Sequence, residues 1–243
     1  MTSNAQIFDE IVNTRRSTRK FDPTAPFESD AVARSIDRAI LSPNSSNMQL
    51  WEFYRVKDKS KIEEMSKFCF GQGAASTSNE LLIVVTRLDK WKSRQQANFT
   101  EIKRQFEGKE IGKTEQRALD YYGKLMPLFY SHDRFNFINT FKKIFTWFRS
   151  FKGLTYWQVS YYDLRTIVHK SAALAAQTFM LSMTAEGYST CPMEGFDSAK
   201  VKKMMNLPAG AEINMIIGMG VGMKEGVYGK RFRIPREEVV FEL

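Results

Sequence analysis

Apolar residues recur at helical spacing near the start of the chain. Ile7, Ile11 and Val12 mark one face of a helix over residues 5–16. Val32, Ile36, Ala39 and Ile40 mark a second over 29–41, with Ser29 as its expected N-cap. Between them, Asp22-Pro23 stops regular structure, because the proline ring disfavours helix at the preceding residue. The pattern alternates like a strand from Trp51 to Val56 and returns to helix from Lys59 to Phe70. Leu81 to Val85 is wholly apolar, as in a strand buried on both faces. Residues 100–130 are charged and mostly helical in pattern. A long helix follows over 162–186, where Ala172, Ala173, Ala175 and Ala176 allow close packing and Gly187 is the expected stop. Ile213 to Met219 reads as a second buried strand, and Val239 to Leu243 as a terminal one. No internal repeat or low-complexity linker interrupts the series. The expectation is a single α+β domain over residues 1–243, with a helical insertion at 95–160.

Composition narrows the function classes. Of 243 residues, 43% are hydrophobic and 26% charged, which is globular rather than disordered. Cys69 and Cys191 are too few for a disulfide framework or a cysteine-rich zinc module, and His132 and His169 lie far apart. The first residues lack the apolar core of a signal peptide, and no stretch is long enough to span a bilayer. A reduced, cytoplasmic setting is therefore expected. With 36 Lys+Arg against 27 Asp+Glu, the formal net charge is +9, which calls for nucleic acid, a membrane surface or an anionic small molecule.

Four segments carry candidate chemistry. Arg15-Arg16-Ser17-Thr18-Arg19-Lys20 places arginine forks and hydroxyls where they fit phosphate oxygens; a solvated basic helix end is the plain alternative. Ser42 to Trp51 is rich in short amide and hydroxyl side chains that can bond a heteroaromatic edge or ribityl chain, or simply cap a turn. Thr190 to Asp197 contains Gly195, which lets backbone approach a planar ligand, or is a simple loop. Gly229 to Pro235 is a second basic cluster, or a basic tail. Together, basic clusters at both ends of the chain and two polar segments between them suggest one anionic cofactor with a ring. A nucleic-acid partner is not expected, because the clusters are far apart in sequence and no aromatic-basic motif accompanies them.

The order of these segments resembles the FMN-dependent nitroreductase family over nearly all of the chain except roughly 95–160. Arg15-Arg16-Ser17-Thr18-Arg19 is similar to the family's opening phosphate motif. Pro43 to Trp51 is similar to its proline-serine-x-x-asparagine-x-glutamine-proline-tryptophan segment, with Leu50 in place of the usual second proline. Cys191-Pro192-Met193-Glu194-Gly195-Phe196-Asp197 resembles its proline-x-glutamate-glycine-phenylalanine signature, and Arg231-Phe232-Arg233 its C-terminal basic pair. The resemblance implies a central mixed sheet flanked by helices, and an intertwined homodimer with FMN at the subunit interface.

It also implies roles. Arg15, Ser17 and Arg19, with Arg231 and Arg233, would hold the FMN phosphate, and Arg16 the flavin edge or ribityl. Pro43, Asn44, Ser45 and Asn47 would come from the partner subunit. Pro192, Met193, Glu194 and Gly195 would lie near the flavin ring, and Gln72 on its pyrimidine edge. The implied activity is reduction of nitroaromatics, quinones or a related electrophile at the expense of NAD(P)H, by a ping-pong mechanism with no assigned catalytic side chain. A flavin-containing binding or sensing protein is the alternative. Leu50 is expected to loosen its turn without removing a ligand.

Residues 134–152 carry Arg134, Lys142, Lys143, Arg149, Lys152 and no acid, among seven Phe and Trp residues including Phe135 and Phe151. On a helix, Phe137, Phe141, Ile144, Phe145 and Phe148 form one stripe, with Lys142, Lys143 and Arg149 off it. Such a segment packs over the active site with its aromatics lining the substrate pocket, packs on the other subunit, or meets a membrane surface or protein partner.

Overall fold

The computed structural model describes residues 2–132 and 137–243; Arg134 and Phe135 lie outside the described residues. In chain order come α1 (Asn4–Thr14), α2 (Ser29–Ala39), β1 (Trp51–Val56), α3 (Lys59–Phe68), α4 (Gly73–Ser76) and β2 (Glu80–Thr86). A helical arm follows: α5 (Trp91–Gln105), α6 (Lys113–Asp120), a π turn at Tyr121–Leu125, α7 (Met126–Tyr130) and α8 (Phe137–Ser150). Then come α9 (Tyr161–Ala185), β3 (Ser189–Met193), α10 (Ser198–Met204) and β4 (Glu212–Gly220).

The sheet runs β1-β2-β4-β3, antiparallel in all three pairs. The expected mixed sheet is thus antiparallel throughout its strands; the parallel pairing of Ser17 with Thr190 is an isolated bridge outside them. All seven residues of β2 are buried, and alternation sends them to two cores. Leu81, Ile83 and Val85 pack with α3, α4 and Val201, while Leu82 and Val84 pack with Val32 and the α9 residues Ala172, Ala175, Ala176 and Phe179. The alanines let α9 lie close to the sheet and α2. Gly187, at φ +86°, ends α9 as expected.

Three expectations are corrected. Glu28, not Ser29, is the N-cap of α2; the Ser29 hydroxyl instead donates to the buried Glu80 carboxylate at 2.5 Å. Residues 239–243 form no strand: Arg236 O accepts the Val239 and Val240 N–H groups, closing a turn, and the tail stays exposed. Conversely, Ser189–Met193, read as loop, is strand β3, and its Pro192 is accommodated because β3 is an edge.

Glu52 of β1 ties the sheet to the root of the arm. Its carboxylate accepts from Arg87, Lys90 and Tyr54. Burial pushes its pKa up, but the hydrogen bonds from Lys90, Tyr54 and Arg87 outweigh it and hold the group down at about 2. A depressed carboxylate contributes stability above its ordinary pKa and loses it as pH falls towards the folded value. Glu52→Gln is therefore expected to be less stable than wild type in urea unfolding at neutral pH. The gap should close as pH is lowered from about 4.5 towards about 2.

Candidate functional site

The segment after α1 is stitched into the end of the sheet. Thr18 N donates to Thr190 O at 3.1 Å, Arg19 N to Gly226 O at 2.8 Å, and Asp22 N to Val221 O at 2.9 Å. Phe21 is fully buried and anchors it in the core. The approach is too close for side chains: a Cβ on Gly226 would sit 2.7 Å from Lys20 N, and one on Gly73 2.7 Å from Arg19 O. This stitching holds Arg15, Arg16, Ser17 and Arg19 against the chain's C-terminal segment.

The two basic clusters meet in a cavity of about 160 Å³, lined by Arg15, Arg16, Ser17, Arg19, Tyr228, Lys230, Arg231, Phe232 and Arg233. No acid is among the lining residues. Some of its cations also have structural work. Arg231 donates to Arg15 O at 2.6 Å and Asn13 O at 3.0 Å, closing the C-terminal end of α1. Arg16 donates to Gly229 O at 3.0 Å, Arg233 to Phe232 O at 2.7 Å, and Arg19 stacks on the Tyr228 ring at 4.9 Å. Burial, then repulsion from Arg231, Arg233 and Arg16, pulls the Arg15 guanidinium below its ordinary pKa. A pocket so arranged gains most from an anion with several oxygens, such as a phosphomonoester.

The Ser42–Trp51 segment is elsewhere on the chain. Ser46, Asn47 and Gln49 all adopt positive φ, at 53°, 50° and 47°, which residues other than glycine rarely do. Neighbouring groups hold the turn. Gln49 N donates to Asn44 Oδ1 at 2.8 Å and Ser45 N to Ser171 Oγ at 3.3 Å. The arm supplies the rest: Tyr121 OH shares a 2.7 Å bond with Ser46 Oγ, Tyr122 OH donates to Ser46 O, and Asn98 exchanges two 2.9 Å bonds with Asn47. Leu50 is buried beside Met48 in a core shared with Met126 and Tyr130 of the arm.

A separate open cavity of about 400 Å³ lies against Pro43, Asn44 and Ser45, with Tyr156, Ile167, Lys170, Ser171 and Leu174. It shares no lining residue with the basic pocket. Gln72 Nε2 donates to Gly195 O at 2.7 Å, joining the α4 N-terminus to the segment after β3. Glu194 and Gly195 are exposed and Pro192 half-buried, whereas Met193 is buried in the core.

Sequence reasoning did not select Tyr228 and Lys230 in the basic pocket, or Tyr156 and Lys170 in the open cavity. Ile167, Lys170, Ser171 and Leu174 do share helical spacing, the legible sign of a second used face on α9. On α8 the apolar stripe and Lys142 fall on opposite sides, as the spacing predicts, and the polar side is the one turned inward. Lys142, Asn139 and Thr146 are buried, and Lys142 Nζ donates to Phe129 O and Ser131 O. Phe137, Phe141, Ile144, Phe145 and Phe148 are exposed, and they line neither cavity.

Comparison with known proteins places this geometry. The family model described as Nitroreductase family matches residues 12–221. MhqN of Bacillus subtilis, a candidate NAD(P)H nitroreductase, is 26% identical over 234 residues, covering 96% of this chain and 97% of its own. Among solved structures, the candidate nitroreductase YdfN of Bacillus subtilis superposes with a TM-score of 0.75 at 22% identity, covering 99% of this chain and 100% of its own. A candidate nitroreductase from Exiguobacterium sibiricum, solved in complex with FMN, superposes with a TM-score of 0.69 at 18% identity, with both chains covered completely.

The strained turn at 46–49 depends on the arm, which sets a test. Asn98→Ala removes two hydrogen bonds, each worth about 1 kcal/mol. Amide exchange at residues 46–49 is expected to accelerate by about thirtyfold, with β2 amides unchanged.

Proposed function

The chain belongs to the nitroreductase family, and on that premise we propose that it is an FMN-dependent oxidoreductase reducing nitroaromatics, quinones or a related electrophile with NAD(P)H by a ping-pong cycle. The observation that carries this reading is the acid-free pocket where both basic clusters converge. Its residues fit FMN: a phosphomonoester relieves the repulsion that depresses Arg15, and Ser17 offers a hydroxyl beside it. FMN, when bound, supplies the two-electron carrier that a nicotinamide donor reduces and an electrophile reoxidises.

The chain's own residues bind and orient. Arg15, Ser17, Arg19 and Arg233 hold the phosphate, with Lys230 adding charge. Arg231 holds α1 in place, so that Arg15 faces the pocket. Gln72 and the exposed Glu194-Gly195 backbone lie at the rim of the sheet, suited to the ring. Backbone N–H groups there would favour negative charge on the ring.

Pro43, Asn44, Ser45 and Asn47 complete the site from a second subunit. The separation of the basic pocket from the Pro43–Ser45 cavity supports this: one chain carries both, with no lining residue in common. The enzyme is thus a homodimer with two shared sites, and Tyr156 and Lys170 border the space open to the acceptor. Residues 95–160 act as an insertion that shapes this space.

The purified protein is expected to be yellow, to bleach anaerobically with NADPH or NADH, and to recover colour with a quinone or nitroaromatic. Flavin that neither nicotinamide reduces would contradict the proposal and favour a sensing role. Arg15→Ala with Arg233→Ala removes two charge-assisted contacts of about 1.5–3 kcal/mol each, and should lose FMN on dialysis.

A further inference from the structure

Helix α8 turns its polar side inward and its apolar side outward. Lys142, fully engaged with Phe129 O and Ser131 O, fixes that orientation on the end of α7. Phe141 is 70% exposed, Phe148 59% and Phe151 69%, with Ile144, Phe145 and Trp147 each more than half exposed. Trp147 packs edge-on against Phe148 and Phe151, with ring centroids 4.8 and 4.9 Å away, so the aromatic surface is pre-ordered. Leu154 and Trp157 extend the apolar surface beyond the helix.

The charges around this surface are of one sign. At about 100° per residue, Lys143 and Arg149 fall on opposite shoulders of the apolar stripe, and both are exposed. Lys152 follows at the helix end, and residues 137–152 contain no Asp or Glu. An apolar aromatic stripe with cations on both shoulders fits a helix lying in the plane of a lipid–water interface, where rings enter the acyl boundary and cations meet anionic headgroups. No helix among the described residues is long and apolar enough to cross a membrane, so contact of this kind is peripheral.

We infer that the outward face of α8 docks the protein on the surface of an anionic lipid bilayer. Pairing of α8 with a second α8 is a poorer arrangement. Twofold pairing of α8 with itself would oppose Lys143, Arg149 and Lys152 of two chains that each carry +9, with no acid in the segment to separate them. A bilayer rich in anionic lipid satisfies both the stripe and its shoulders.

The test uses the full-length protein with vesicles of phosphatidylcholine alone or mixed with phosphatidylglycerol. Cosedimentation with the mixed vesicles is expected, weakened by salt and accompanied by a blue shift of tryptophan emission. Phe141→Ser with Phe145→Ser and Phe148→Ser should abolish it while leaving the circular dichroism spectrum unchanged. Lys143→Gln with Arg149→Gln, which leaves the apolar stripe intact, should weaken binding by about thirtyfold, from about fivefold per cation. Absence of binding to the mixed vesicles would overturn the inference. So would equal binding by the aromatic variant, since the chain's other cations would then be responsible. Wild-type protein that ignores vesicles but falls to a smaller assembly on the three Phe→Ser changes would assign this face to contact between copies instead.

Discussion

Strand β2 is the constraint on which the rest of the molecule depends. Every residue from Glu80 to Thr86 is buried, so both of its faces need helices and both of its edges need partners. That demand sets α3 and α4 on one side and α9 with α2 on the other. It also fixes β4, whose continuation past Gly220 supplies the backbone that pairs with Arg19 to Asp22, while Thr18 bonds Thr190 of β3. The charged ends of β2 are equally committed. Glu80 pairs with Arg55 at 2.9 Å and with Ser29, while Arg87, just past the strand, reaches Glu52 and Asp89. Breaking such buried pairs leaves an uncompensated charge, which costs far more than the pair contributes.

Electrostatics then separates what the fold tolerates from what it uses. Most cations are exposed or answered by acids, as Arg34 and Arg38 are by Glu186. The pocket between the chain ends is different, because it gathers cations and no acid. An anion bound among these cations would offset their mutual repulsion and so stabilise the folded chain. The net charge of +9 resolves into this pocket and the shoulders of α8.

Much of this was legible in the sequence, and the exceptions have physical causes. Strands β1, β2 and β4 and helix α9 announced themselves through alternation, apolar runs or helical spacing, although only β2 of the three strands is buried throughout. Strand β3 did not, because Ser189-Thr190-Cys191-Pro192-Met193 lacks alternation and an edge strand can carry a proline. The convergence of Arg15–Arg19 with Arg231–Arg233 followed from motif order, while the role of Arg231 at the end of α1 required coordinates. The orientation of α8 was invisible, since an amphipathic stripe shows that two faces differ and not which one turns inward. Lys142 decides that through carbonyls on α7 that no pattern marks. The strain at Ser46, Asn47 and Gln49 was hidden as well, because nothing in their identities demands positive φ.

Leu50 has a consequence for how such enzymes diversify. By filling a core with Met48, Met126 and Tyr130, it makes the polar turn and the helical arm one cooperative unit. An arm transplanted from a relative with proline at this position would arrive without its anchor, and the turn left behind would lose its cover. Exchange of the helical arm is therefore not modular here. Residue 50, outside the arm, has to travel with it.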